Sequence, residues 1–126
     1  MTLIIDTDVL IEISDKNSVK GNQIYQKIIS SKENIAITSI TIYETLYRLL
    51  KSKKPITYLL SFPVYDFSKE DAQNAANLEI EVEKKGKKIK RTDIMIASTV
   101  TTIGATLCTF DRDFKELQDL GLRLFI

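Results

Sequence analysis

Six acidic residues stand in short settings suited to binding a cation. They are Asp6 and Asp8 in Leu3-Ile-Ile-Asp6-Thr-Asp8, Glu44 in Ile40-Thr-Ile-Tyr-Glu44-Thr-Leu, Asp93 in Arg91-Thr-Asp93-Ile-Met-Ile-Ala, and Asp111 and Asp113 in Cys108-Thr-Phe-Asp111-Arg-Asp113-Phe. Carboxylates drawn to one place repel, and one or more must then take up a proton. A divalent cation removes that conflict. The chain has no histidine, so no imidazole base, nucleophile or ligand is available. Its one cysteine, Cys108, excludes an internal disulfide and any CxxC site. Carboxylate and water ligands without His or Cys favour Mg²⁺ or Mn²⁺ over Zn²⁺. Such ions make water a better nucleophile and stabilise phosphodiester oxygens during in-line attack.

Each acid also has an ordinary structural reading. Asp6 or Asp8 suits the N-cap of a first helix, and Thr41-x-x-Glu44 matches a capping box. Asp93 complements a helix dipole, and Asp111 and Asp113 suit the cap of a short helix. The elements that carry the acids decide between these readings. Leu3–Ile5 reads as a buried strand ending at Asp6, followed by short helices over 8–14 and 18–31. Residues 35–37 read as a second strand, followed by a helix from Ser39 to about Lys53 that Pro55 ends. Pro63–Phe67 reads as a third strand. Ser68-Lys-Glu-Asp71 is a capping box opening a helix to Lys85, with Gly86 as its C-cap. Thr92 opens a helix closed by Gly104, Ala105–Thr109 is a strand, Asp113–Leu120 a short helix and Leu122–Ile126 a last strand.

Short apolar strands alternating with helices predict a three-layer α/β/α domain around a mostly parallel sheet. Such sheets bind ligands at the C-terminal ends of their strands, where strand order reverses. Asp6, Glu44, Asp93 and Asp111 all fall near that edge, from four separate segments. With Ile96, Ala97 and Val100 at helical spacing, Asp93 is expected on a buried stripe.

The 126 residues, 44% hydrophobic and 28% charged, suit a single domain over 1–126 with a core of its own. Eighteen basic against 17 acidic residues leave a formal charge of +1, which is no strongly basic nucleic-acid module. Six of the 18 basic residues lie in one run, Lys84-Lys85-Gly86-Lys87-Lys88-Ile89-Lys90-Arg91, so the even balance hides a local concentration. Lys87, Lys88, Lys90 and Arg91 approach Asp93 and are the candidate contacts to phosphates. No apolar run approaches the ~20 residues of a membrane span. The start carries acids rather than a basic leader, so a cytoplasmic chain without membrane association is expected. On the 39–53 helix, Tyr43, Tyr47 and the leucines supply more apolar surface than one core face needs, which suggests a homodimer or a groove for a protein partner.

In these motifs the sequence resembles the PIN-domain ribonucleases, and within them the VapC-type toxins of toxin–antitoxin pairs. The resemblance rests on Leu3-Ile-Ile-Asp6-Thr-Asp-Val-Leu-Ile-Glu12, Thr38-Ser-Ile-Thr-Ile-Tyr-Glu44-Thr-Leu, Asp93-Ile-Met-Ile-Ala-Ser98 and Cys108-Thr-Phe-Asp111-Arg-Asp-Phe114, in family order along essentially the whole chain. It implies that Asp6, Glu44, Asp93 and Asp111 are metal-binding catalytic acids, with Asp113 as an alternative to Asp111. It implies Mg²⁺- or Mn²⁺-dependent hydrolysis of RNA and an antitoxin partner. In the two-ion form of that chemistry, Asp6, Glu44 and Asp93 hold one ion, and Asp111 with Asp6 helps hold a second, with no side-chain base required. Asp8 stands where the family commonly has Asn. Thr109 matches a family hydroxyl that orients an acid or a water, and Thr7 is a second such candidate.

Two other readings compete. Asp6-Thr-Asp8-Val-Leu also matches the signature of haloacid-dehalogenase-like phosphatases, with Asp6 as nucleophile and Asp8 as acid–base. That reading leaves Glu44 and Asp93 without a role, and the chain is short for that fold. The other is a non-catalytic PIN-like subunit, against which all four acids are intact.

Overall fold

The computed structural model describes residues 1–125. Four strands form one sheet: β1 (Thr2–Ile5), β2 (Asn34–Thr38), β3 (Val64–Tyr65) and β4 (Thr106–Cys108), in the order β3-β2-β1-β4. Every pairing is parallel. Helices α1 (Thr7–Ser14), α2 (Val19–Ser31), α3 (Ser39–Lys51), α4 (Thr57–Leu60), α5 (Lys69–Lys84) and α6 (Arg91–Thr102) connect the strands, and a 3₁₀ segment (Arg112–Leu120) follows β4. This is the three-layer α/β/α architecture that the alternating pattern predicts.

Alternation along β1 divides the core. Leu3 and Ile5 face one layer with Val9, Leu10, Ile28 and Leu49, the helical contributions of α1, α2 and α3. Ile4 faces the other with Ala75, Val82, Ile94, Val100 and Phe114, from α5, α6 and the 3₁₀ segment. A strand buried on both faces must be apolar at every position, which is why Leu3-Ile4-Ile5 carries no alternation of polarity. The order 3-2-1-4 also sets the site. From β1 the chain moves outward to β2 and β3, and β4 returns to the opposite side of β1. Strand order therefore reverses between β1 and β4, and a crevice opens beyond their C-terminal ends.

Several sequence expectations shift. The strand expected at Leu122–Ile126 reduces, over the described residues, to a single parallel bridge between Leu107 and Leu124, and Ile126 lies outside them. Among the described residues, two backbone bonds hold it to β4, Leu107 N–H to Arg123 O at 2.9 Å and Phe125 N–H to Leu107 O at 2.8 Å. The third strand keeps only Val64 and Tyr65 of the expected 63–67, and α4 is an additional short helix. The segment after β4 is 3₁₀ rather than α-helical. The α3 helix ends at Lys51, ahead of Lys53 in the left-handed region (φ 57°), and not at Pro55. The α6 helix starts at Arg91, one residue before Thr92. The capping box at Ser68 and Asp71 forms as expected, and Gly86 supplies the left-handed residue after α5 (φ 71°). No helix among the described residues is long and apolar enough to cross a membrane.

Candidate active site

Asp6 is the first residue beyond β1. Its N–H donates to the Cys108 carbonyl at 2.9 Å, extending the β1–β4 ladder by one bond and fixing the carboxylate over the crevice. Asp6 also N-caps α1, with Oδ1 accepting from Thr7 N–H at 2.9 Å. Capping and site geometry are therefore the same conformation, and the two readings of Asp6 do not exclude each other. On the neighbouring strand end, the Thr109 hydroxyl donates to Asp6 Oδ2 at 2.7 Å and accepts from Asp111 N–H at 3.0 Å. One hydroxyl thus ties the acid after β1 to the acid after β4.

Glu44 enters from α3. The expected capping box does not form. Thr38, the last residue of β2, is the N-cap and accepts from Thr41 N–H at 3.1 Å. Glu44, a full turn inside, is left to point its carboxylate at the crevice, where Oε1 accepts from the Thr7 hydroxyl at 2.7 Å. The Thr41 hydroxyl lies 3.2 Å from that of Thr7. Thr41 was not legible as a site neighbour, because its burial depends on α3 packing against α1. Thr7, the second hydroxyl candidate, is the hydrogen-bond partner of Glu44.

Asp93, in the first turn of α6, is half-buried rather than part of the fully buried stripe. Burial, then the Asp111 and Glu44 carboxylates, push its carboxyl up to about 6, against a lowering by Lys90. Burial and Asp8 push Asp6 up to about 8, against hydrogen bonds from Thr109 and Thr7, with Asp93 adding to the rise. Asp8 is raised by burial and by Asp111, and accepts from Phe110 N–H at 3.2 Å. The acids therefore sense one another across four segments. Asp113 also raises Asp93, but is exposed, and its N–H is capped by Asp111 Oδ1 at 2.9 Å. Asp111, half-buried and in contact with Thr109, stands closer to the cluster than Asp113.

Among the described residues, no three of these side chains already stand at the spacing that holds an ion. Asp6 accepts from Thr109 and Thr7, and Glu44 from Thr7. The donor set nonetheless fits a hard divalent cation: all its charged members are oxygen acids, and two have carboxyls held against ionisation, by burial first and by like charges second.

The family model described as "PIN domain" matches residues 3–120. The chain belongs to the PIN-domain family. The domain is 32% identical over 104 residues to Ribonuclease VapC2 of Rickettsia felis, covering 76% of this chain and 78% of that one. It superposes with a TM-score of 0.80 and 27% identity on a chain of the R. felis VapBC2 structure bound to a promoter DNA fragment, covering 99% of this chain and 98% of that one. With VapBC-1 of nontypeable Haemophilus influenzae the TM-score is 0.82 at 18% identity, covering 99% and 97%, which shows a common fold. The match over 3–120 does not favour the phosphatase alternative.

Most of the basic run of this PIN domain is internally paired. Arg91 forms a two-point pair with Glu79, at 3.1 and 2.8 Å. Lys85 meets Asp119 at 2.9 Å and Lys87 lies 4.0 Å from Glu116. Lys88 and Lys90 form no ion pair among the described residues, and Lys90 is the cation acting on Asp93. Cys108, the remaining reactive type, is buried in β4, and its burial with Asp8 and Asp6 nearby pushes the thiol up to about 12. It is an inert core residue.

Proposed function

We propose that this PIN domain is a divalent-metal-dependent endoribonuclease and the toxin of a toxin–antitoxin pair. The single observation that supports the reading is the placement of four acids from four segments about the β1–β4 crevice, with Thr109 joining Asp6 to Asp111, Thr7 bonded to Glu44, and Asp93 raised by the Asp111 and Glu44 carboxylates. Asp6, Glu44 and Asp93 would hold Mg²⁺ or Mn²⁺, with Asp111, and Asp113 behind it, serving a second ion. When bound, such an ion relieves the crowded negative charge, supplies Lewis-acid stabilisation to phosphodiester oxygens and activates water.

The chain's own residues do the positioning. Thr109 orients Asp6, and Thr7 orients Glu44. Asp8 holds the Phe110 backbone, so the segment after β4 keeps its place beside the acids. Lys88 and Lys90 supply positive charge on the α6 side, with Lys87 and Arg91 released to phosphates only on exchange of their carboxylate partners. RNA is the proposed substrate, in keeping with the ribonuclease name of the R. felis relative. An antitoxin partner is proposed from the antitoxin complexes among the structural neighbours. A homodimer is proposed from the exposed apolar residues of α3 and α4, Tyr43, Tyr47, Leu50 and Leu60. The cytoplasm is the compartment such a toxin occupies.

The test is cleavage of an end-labelled RNA pool with Mg²⁺, Mn²⁺ or EDTA, comparing the chain with Asp93→Asn. Cleavage should require the cation and fall at least 100-fold in the variant while the circular dichroism spectrum is kept. Equal cleavage by both proteins in EDTA would sink the proposal.

A further inference from the structure

The crevice has a second wall that the acids do not account for. Beyond Asp111 lies a cleft of about 520 Å³ lined by Thr109, Phe110, Asp111, Arg112, Lys115 and Gln118 among others. This lies within the range of about 300–1,000 Å³ that small-ligand sites occupy. Thr109 and Asp111 line the cleft and also belong to the acid cluster, so the cleft adjoins the acids.

The local backbone explains the lining. In a 3₁₀ helix, residues three apart eclipse. Arg112, Lys115 and Gln118 therefore form one row along the cleft, while Phe114 and Leu117, also three apart, are buried in the core. An α-helix would step the same residues about 60° apart around its axis, so the 3₁₀ conformation straightens the row.

Charge distinguishes this row from the 84–91 run. Arg112 and Lys115 are exposed and form no ion pair among the described residues, whereas Lys84, Lys85, Lys87 and Arg91 each meet a carboxylate. Phe110 sits between this cleft and a smaller one that also holds Asp8, Lys16, Lys20 and Arg48. Its backbone is held by Asp8, and Lys20 Nζ stands 4.8 Å from the ring centroid. Lys16 and Lys20 are held by Glu12 and Arg48 by Asp15, so among the described residues the cations left unpaired beside this half-buried ring are Arg112 and Lys115, an arrangement that takes a base on the ring and a phosphate on those two cations.

We propose that this cleft holds one nucleotide of a single-stranded RNA adjoining the bond to be cut, its base against Phe110 and its phosphate on Arg112 and Lys115. The proposal rests on the nuclease reading above. The strand then crosses the acids, with Lys88 and Lys90 on one side and the Phe110 row on the other.

Binding separates the two ideas. A fluorescein-labelled single-stranded RNA 12-mer is titrated into the full chain carrying Asp93→Asn, so that the probe stays intact, over a range of salt. Adding Arg112→Gln with Lys115→Gln should weaken binding about tenfold and reduce the slope of log affinity against log salt by about 0.7, since one phosphate contact contributes roughly 0.7 on single strands. Adding Phe110→Leu instead should weaken binding about fivefold or more with the slope unchanged, because stacking is not an ionic term. Both cations are exposed, so the double variant keeps the fold. Unchanged affinity and slope in the double variant overturn the proposal and leave the cleft to a protein partner. No binding by the Asp93→Asn parent overturns it as well. If the unmodified chain cleaves RNA while the double variant binds undiminished, the subsite fails and the nuclease reading stands. If no cation supports cleavage, the nuclease reading itself fails.

Discussion

Asp71 is more deeply buried than Asp6, 2% against 4% exposed, yet it has no part in the site. Its Oδ2 accepts from Ser68 N–H at 3.1 Å and from the Thr99 hydroxyl at 2.8 Å, and its carbonyl takes the Ser98 hydroxyl at 2.6 Å. It is surrounded by donors and ties α5 to α6. Asp6 is surrounded by donors and by other acids, and that difference distinguishes a strut from a binding group. The consequence is measurable. Asp6 and Asp93 hold their protons more tightly folded than unfolded, so the metal-free protein binds more protons than its unfolded chain between about pH 4 and 8, and stability falls as pH rises through that window. Asp6→Asn keeps a capping side chain and removes the charge. In EDTA at pH 8 we expect it to melt at least ~4 °C higher than the parent, equivalent to about 1 kcal/mol for a chain of this size. Below pH 4 the two should converge. Parallel melting curves for parent and variant across pH would contradict the electrostatic account.

At the scale of elements, the placement of Asp8 depends on how closely α2 crosses α1. Gly21 is the contact. A Cβ there would stand 2.3 Å from the Glu12 carbonyl oxygen and 2.6 Å from its carbon, both backbone atoms that cannot turn aside. In an isolated helix Gly21→Ala would gain about 1 kcal/mol of propensity. Here overpacking against rigid backbone, on the order of 2–3 kcal/mol, outweighs that gain. We expect Gly21→Ala to lower the denaturant midpoint and to weaken RNA cleavage by displacing α1. A stabilised Gly21→Ala protein would show that the helices have room to part. The ionic tie between α1 and α3 works in the same direction. Asp15, which caps the end of α1, accepts from Arg48 at 2.7 Å and from Lys54 at 2.5 Å, and those cations hold its carboxyl below the usual range.

At the scale of the whole molecule, α3 and α4 together expose four large apolar side chains. Tyr43, Tyr47, Leu50 and Leu60 are 56–69% exposed, while Thr41, Thr45 and Leu49 on the opposite side of α3 are buried. A helix apolar on more than its core face carries surface that water tolerates poorly. The proposed homodimer would cover it. Light scattering should give twice the 14.4 kDa chain mass for the parent, and the chain mass for a Tyr43→Glu, Tyr47→Glu double variant. A monomeric parent would assign the face to another partner.

Local sequence was enough for the strand–helix alternation, the capping box at Ser68, and the four acids as residues of one edge. These depend on residue type, periodicity and nearest neighbours, all of which a sequence contains. It also showed the lysine run, but not that Glu79, Glu116 and Asp119 would pair with half of it, since those partners lie up to 34 residues away. The hydrogen-bond partners of Thr7, Thr41 and Thr109 were likewise decided only when β1 took its place between β2 and β4. A hydroxyl has no directional signal in sequence, and becomes a positioning group only when an acid is brought within 3 Å. The pairing of Leu124 with Leu107 likewise joins residues 17 apart, so it is decided only in the packed molecule.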